Sequence, residues 1–266
     1  MTDRVTVAFE DSVARVTLDN PDLRNALTTD VSEGLVDAME TVADSDARCV
    51  VLGSTGSVFC AGGDVNTMME GASQRESGEW DRETARAAVE RTASAVTAVA
   101  ACDVPTVAAL EGSAYGAGAA LALACDVVFA SDEAAINFGF RRLGLAVDSG
   151  TSYFLPRIVG ESTAKALVFT GETVEADRAS ELGLFDRVVP ADEFEAELDS
   201  FVQTVATGPT EALSASKRLL EESWNRSLPE AVEAETDRQV GVLETDDHAE
   251  GVRAFVEGRD PEFDGE

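Results

Sequence analysis

Two glycine clusters are the first residues in this chain with chemistry to offer. One is Phe59-Cys60-Ala61-Gly62-Gly63-Asp64; the other is Gly112, Gly116 and Gly118, leading into the apolar run Ala117–Ala124. Each follows a short apolar stretch of strand character and precedes a helical one. A glycine turn at a helix start leaves backbone N–H groups without intrahelical acceptors, and no side chain blocks approach to them. Two such turns can converge on a single oxygen atom. Donors of that kind stabilise a developing oxyanion without any titratable group, and one good donor contributes about 3–4 kcal/mol to the transition state. The same glycines would also serve close packing of helix on strand, and spacing alone leaves both readings open. A nucleotide-phosphate loop does not fit: Gly112, Gly116 and Gly118 have the wrong order for G-x-G-x-x-G, and neither cluster ends in Gly-Lys-Ser/Thr.

Hydrophobic periodicity supplies the elements that must hold these turns. Val5, Val7 and Phe9, then Val13, Val16 and Leu18, flank Glu10-Asp11-Ser12 and predict a hairpin. Val31, Leu35, Met39 and Val42 recur at helical spacing ahead of a buried strand, Cys49–Leu52. That strand runs into the first glycine cluster and another helical stretch. The pattern then repeats: a helix over about 82–101, the strand Thr106–Leu110 after Pro105, the second cluster and its helix. Repeated strand, glycine turn and helix predict an α/β body of quasi-repeats. From about Pro209 only helical signals remain, carrying Leu213, Leu219 and Leu220, then Ala231–Leu243, then Val252, Phe255 and Val256. Those stripes are more than a small appendage buries alone, so it should pack on the body or on a neighbouring subunit.

Composition narrows the partners. The chain has 266 residues, with 20 basic against 51 acidic side chains and a formal net charge of −31. Its length suits one large domain with an appendage. The acids are spread along a chain that is 44% hydrophobic, which argues against disorder. A nucleic-acid binder needs a basic surface, and an anionic membrane surface is disfavoured in the same way. Lys165 and Lys217 are the only lysines beside 18 arginines. A bias of that kind points to a salt-adapted, halophilic cytoplasm, where screening by salt offsets self-repulsion. Such a chain should lose its folded signal on transfer to low salt. Cys49, Cys60, Cys102 and Cys125 stand singly without C-x-x-C spacing and read as reduced buried thiols. The single histidine, His248, lies in a Thr-Asp-Asp-His-Ala-Glu setting and reads as a surface residue, leaving little for a His-based triad or metal site. Met-Thr-Asp-Arg-Val lacks the apolar core of a signal peptide, and the uncharged run Gly112–Cys125 is too short to span a bilayer. A soluble cytoplasmic protein is expected.

With these motifs in order, the chain resembles the crotonase (enoyl-CoA hydratase/isomerase) superfamily over essentially its whole length. Asn20-Pro21, with Asn25-Ala26-Leu27, is similar to the loop that embraces the adenosine of CoA. Phe59–Asp64 resembles the first oxyanion turn, with Gly63 supplying one N–H, and Gly116–Asp126 resembles the second, with the N–H of Ala117 at the helix start. Glu250–Pro261 resembles the closing helix. The resemblance implies a spiral of ββα units over 1–203 and a helical trimerisation region over 204–266, assembling as a homotrimer or homohexamer. It also implies an acyl-CoA substrate whose enolate oxygen sits between Gly63 and Ala117, and no metal or other cofactor, since CoA comes with the substrate. CoA contacts are implied at Arg24, Ala26, Leu27, Ala61, Gly63, Asp64 and Val65. Arg24 reads equally as a phosphate partner or a solvated loop charge.

Superfamily hydratases use two glutamates, and this chain departs at both places: Ala120 stands four residues beyond Gly116, and Phe140 eight residues before Asp148. Neither can exchange a proton. Asp148, in Gly144-Leu145-Ala146-Val147-Asp148-Ser149-Gly150-Thr151, resembles the Asp-bearing turn of dienoyl-CoA and epoxyphenylacetyl-CoA isomerases. From its residues alone Asp148 could equally cap a helix over Ser149–Val159. As a catalyst it would need an apolar wall, for which Phe138, Phe140 and Leu145 are the candidates. Asp64 reads as a helix cap, Arg141-Arg142 as a solvated pair, Trp224 and Phe255 as interface or core residues, and the segment 67–86 as a supplier of the acyl pocket. The expected activity is enoyl-CoA isomerisation, with hydration or non-catalytic acyl-CoA binding as alternatives.

Overall fold

A computed structural model describes residues 3–265. Strands β1 (Val5–Glu10) and β2 (Val13–Leu18) form the expected antiparallel hairpin, pairing Val5 with Leu18 and Glu10 with Val13. Its two turn residues, Asp11 and Ser12, both have positive φ (46° and 63°), the twist that a two-residue hairpin turn requires. Helix α1 (Thr29–Ala43) follows, its start capped by Thr28 Oγ1, which accepts from Val31 N–H.

The body is then built from pairs of strands and the helices after them. The first unit is β3 (Cys49–Ser54), β4 (Val58–Cys60), α2 (Val65–Ser77) and α3 (Arg82–Ala100). The second is β5 (Thr106–Leu110), β6 (Ser113–Tyr115) and α4 (Ala117–Leu123). The third is β7 (Val127–Ser131) and β8 (Ala135–Asn137), leading through a 3-10 turn, Gly139–Leu143, to α5 (Thr151–Val159) and α6 (Glu161–Thr170). The body closes with β9 (Thr173–Glu175), α7 (Ala176–Glu181) and β10 (Arg187–Val189). In each unit the first strand joins a six-stranded sheet of order β1-β2-β3-β5-β7-β10, and the second joins a four-stranded sheet of order β4-β6-β8-β9. Within the small sheet β4, β6 and β8 are parallel neighbours.

Strand β5 is buried at every position, as a central parallel strand covered on both faces should be. One face packs on α1, α3 and α4 through Leu35, Val96, Leu110 and Leu121. The other is covered by α8 (Phe194–Ala206), whose Phe194, Leu198 and Val202 meet Val51, Val107 and Phe129. Residue 203 lies inside α8, so this helix runs unbroken across the 203/204 boundary and serves the sheet to Ala206.

Helices α9 (Thr210–Glu222), α10 (Leu228–Val242) and α11 (Asp246–Glu257) form the helical appendage. Polar pins join it to the body. Lys217 is buried, pairs with Asp126 at 2.8 Å and donates to the Val104 carbonyl at 3.1 Å. Arg48 donates to Thr210 Oγ1 (2.7 Å) and to the carbonyls of Gly208 (2.5 Å) and Phe263 (3.0 Å). Leu220, Trp224, Leu228, Phe255 and Val256 are exposed, so neither Trp224 nor Phe255 belongs to the core of this chain. His248 is not a surface residue as the sequence suggests. It is half-buried and lines a second cavity with Phe255 and Phe263, because Thr245 caps α11 and turns this first helical turn inwards.

Candidate active site

The small sheet determines what can meet. The first glycine turn leaves the end of β4, the second leaves β6, and the segment to Asp148 leaves β8, so all three emerge at the carboxyl ends of adjacent parallel strands. Those ends are where open α/β sheets present their sites. The turns are locked to one another. Gly116 N–H donates to the Asn137 carbonyl (2.8 Å), tying the second turn to the end of β8. Gly62 has φ +85°, and a Cβ there would lie 2.5 Å from the Tyr115 carbonyl oxygen and 3.3 Å from Ala117 N, so only glycine permits this approach. Gly118 sits equally close to β4: a Cβ would fall 2.4 Å from the Cys60 carbonyl oxygen.

The loop before α1 clamps the first turn from the other side. Leu27 bridges Gly63, its N–H donating to the Gly62 carbonyl (2.7 Å), while Ala61 N–H donates to the Arg24 carbonyl (3.0 Å). Asn25, fully buried, staples this loop: Oδ1 accepts from Asn20 N–H, and Nδ2 donates to the carbonyls of Thr55 and Val58, each at 2.8 Å. The N–H of Gly63 has no backbone acceptor among the described residues. Ala117 is the first residue of α4, whose N–H the helix cannot satisfy. Both residues line one cavity of about 410 Å³. Beside the first turn, burial pushes the Cys60 thiol up to about 12, so it stays protonated and inert.

Asp148 lines the same cavity. It does not cap a helix: α5 begins at Thr151 with Gly150 (φ 82°) in the cap position, and no side chain caps it. Asp148 contributes only its backbone carbonyl, which accepts from Thr151 N–H at 2.9 Å. Its Oδ1 is buried without a hydrogen-bond partner among the described residues, and burial pushes the carboxyl above the usual aspartate range, with the nearby Ser149 hydroxyl opposing. Phe140 and Leu145 line the cavity with it. Phe138 does not; it faces the main core, because the 3-10 turn after β8 rotates Phe140 towards the cavity instead.

Asp64 caps α2 as expected. Its Oδ1 accepts from Asn66 N–H (2.9 Å) and Oδ2 from the Thr67 hydroxyl (3.0 Å). Leu27, Ala61, Asp64 and Val65 line the cavity, whereas Arg24 and Ala26 lie outside it, Arg24 exposed and Ala26 buried beneath the loop. Ala120 is buried inside α4. Arg141 and Arg142 are both exposed, as expected of a solvated pair, and also donate to the carbonyls of Thr170 (3.1 Å) and Gly171 (2.8 Å), with Arg142 at the cavity lining. Thr67 and Met68 of the expected pocket segment line the cavity, and α3 adds Ala88, Val89, Arg91 and Thr92 beyond it. Sequence reasoning missed Thr29, Ser32, Arg91 and Thr92. Their one signal was placement on the α1 and α3 faces that pack together.

Two backbone N–H groups at glycine turns and a carboxylate with one unpartnered oxygen thus share a mostly apolar cavity. The chain belongs to the enoyl-CoA hydratase/isomerase family, whose model matches residues 8–266. It is 34% identical over 262 residues to a Rhodobacter capsulatus protein named "Probable enoyl-CoA hydratase", covering 98% of each chain. It is 30% identical over 258 residues to the 1,2-epoxyphenylacetyl-CoA isomerase of Escherichia coli, covering 96% of each. The crystal structure of an enoyl-CoA hydratase from Bacillus anthracis matches with a TM-score of 0.90 at 28% identity, covering 99% of this chain and 100% of that one. The fold is therefore the crotonase fold. No helix among the described residues is long and apolar enough to cross a membrane.

Proposed function

We propose that this family member is an acyl-CoA double-bond isomerase in which Asp148 shuttles the proton and the N–H groups of Gly63 and Ala117 hold the thioester oxygen. One observation carries the reading. Of the two carboxylates that line the cavity, Asp64 is committed to capping α2, while Asp148 has a buried oxygen with no partner and a raised pKa. A raised pKa makes a carboxylate a stronger base, better matched to a carbon acid.

A 3-enoyl thioester binds with its carbonyl oxygen facing Gly63 and Ala117. Asp148 removes a proton from C2, and the electron pair spreads over the thioester oxygen and the C3–C4 double bond. Negative charge on that oxygen strengthens the two N–H hydrogen bonds, which is where the barrier falls. The protonated Asp148 returns the proton to C4, leaving the double bond between C2 and C3 and the carboxylate restored. One group suffices because the proton leaves and returns on the same substrate. CoA itself is assigned to Arg24, Ala26, Leu27, Ala61, Gly63, Asp64 and Val65, with exposed Arg24 outside the cavity for a phosphate. No cofactor beyond the substrate's own CoA enters these steps. The exposed apolar residues of α9 to α11 support assembly as a homotrimer or homohexamer.

The relatives' names favour a second reading, hydration, since most of them say hydratase. Against it, Ala120 and Phe140 offer no second proton-exchanging group. Supplying a 3-enoyl-CoA and a 2-enoyl-CoA separately separates the two. Isomerisation of the first with no 3-hydroxyacyl-CoA from the second is the expected result. Rapid hydration of the 2-enoyl-CoA would replace the isomerase reading, and binding without turnover of either would leave a non-catalytic acyl-CoA protein.

A further inference from the structure

Ser32 lies on α1, is 1% exposed, and lines the cavity, yet its hydroxyl has no hydrogen-bond partner among the described residues. A helical hydroxyl ordinarily turns back to the carbonyl four residues earlier. Thr41, Ser94 and Thr97 of this chain do so, donating to Asp37, Glu90 and Ala93. Ser32 does not, although its own N–H meets the Thr28 carbonyl at 2.9 Å. A buried unpaired hydroxyl is costly, and alanine would fill the position without that cost.

The surroundings match. Thr29, Arg91 and Thr92 line the same cavity, and Arg91 bridges the helices by donating to Thr29 Oγ1 (3.2 Å) while pairing with Glu33 (3.2 Å). The Arg91 charge is thus already answered and Thr92 Oγ1 donates back to the Ala88 carbonyl (3.4 Å), so this wall keeps one hydroxyl without a partner among the described residues, that of Ser32. It contrasts with the apolar surface of Phe140, Leu145 and Met68.

We propose that Ser32 determines specificity by hydrogen-bonding a hydroxyl on the acyl group, so that the substrate class is hydroxylated acyl-CoA and not the plain hydrocarbon thioester. This rests on the acyl-CoA reading above. The test is calorimetric binding of hexanoyl-CoA and of its three hydroxy derivatives substituted on the last three carbons, to the full chain and to Ser32→Ala. At least one derivative should bind the native chain about threefold to tenfold more tightly than hexanoyl-CoA. That advantage should vanish in Ser32→Ala, with hexanoyl-CoA affinity kept. Three derivatives that bind the native chain no better than hexanoyl-CoA would overturn the proposal without recourse to any variant. A preference that survives in Ser32→Ala would overturn it too. Failure of hexanoyl-CoA itself to bind would instead remove the acyl-CoA reading, and the hydroxyl subsite with it.

Discussion

Asp148→Asn should lower activity and raise stability, and the two effects have the same origin. The side chain keeps its shape but loses the ability to take a proton. Removing a general base costs about 10²–10⁴ in kcat, or about 3–5 kcal/mol on the barrier. Stability moves the other way because the native carboxylate is desolvated with Oδ1 unpaired. An unsatisfied buried group of this kind costs about 1–3 kcal/mol, and an amide, still polar but uncharged, recovers part of it. A net gain of about 1 kcal/mol corresponds to about 2–4 °C in Tm for a chain of this size. The pH dependence fixes the cause. The folded-state pKa of Asp148 is raised, so between the unfolded and folded values the native state binds more protons, and native stability falls as pH rises through that window. Below about pH 4 the carboxyl is protonated in both states and the penalty is absent. The variant's advantage should therefore be missing in acid, grow upwards from the ordinary aspartate range and level off above the raised pKa. Thermal unfolding of both proteins across pH, beside initial rates on a 3-enoyl-CoA, checks this. An advantage independent of pH, or no advantage at neutrality, would refute the desolvated carboxylate; an unchanged kcat would place the base elsewhere.

Two further substitutions probe how the site is held. Gly118→Ala puts a Cβ 2.4 Å from the Cys60 carbonyl oxygen and 2.8 Å from its Cβ, which must push α4 off β4 and displace the Ala117 N–H. It should destabilise by about 1–3 kcal/mol and reduce kcat at least about tenfold, towards the loss of a full oxyanion donor, in steady-state assays where acyl-CoA affinity changes little. Lys217→Met leaves Asp126 without its partner, but Asp126 Oδ2 still accepts from Thr106 N–H (2.7 Å) and Oγ1 (2.9 Å). The loss should accordingly be about 1–3 kcal/mol by urea unfolding, and adding Asp126→Asn should restore part of it.

The two glycine turns were legible because close packing demands glycine there: Gly62 and Gly118 stand where any Cβ would strike the neighbouring strand. The strand Thr106–Leu110 was equally plain, since burial on both faces writes an unbroken apolar run. Asp148 was ambiguous because an aspartate just before a helix serves as cap or catalyst with the same local sequence. What removes the cap reading is Gly150, whose positive φ takes the cap position and delays the helix to Thr151. Phe138 was misplaced because the 3-10 turn, not strand alternation, sets which phenylalanine faces the cavity. Ser32 and Arg91 were out of reach, since their meeting depends on the packing of α1 on α3, about sixty residues apart in sequence.

The order β4-β6-β8 carries a consequence for divergence. The two glycine turns follow β4 and β6, whereas Asp148 hangs from the connection after β8. Each belongs to a different repeat, and only the last is a side chain. If Asp148 moves the proton as proposed, the stretch between Gly139 and Gly150 can be rewritten to change the reaction while the two glycine turns stay intact. Grafting that stretch between paralogues should transplant the type of proton transfer in a single exchange.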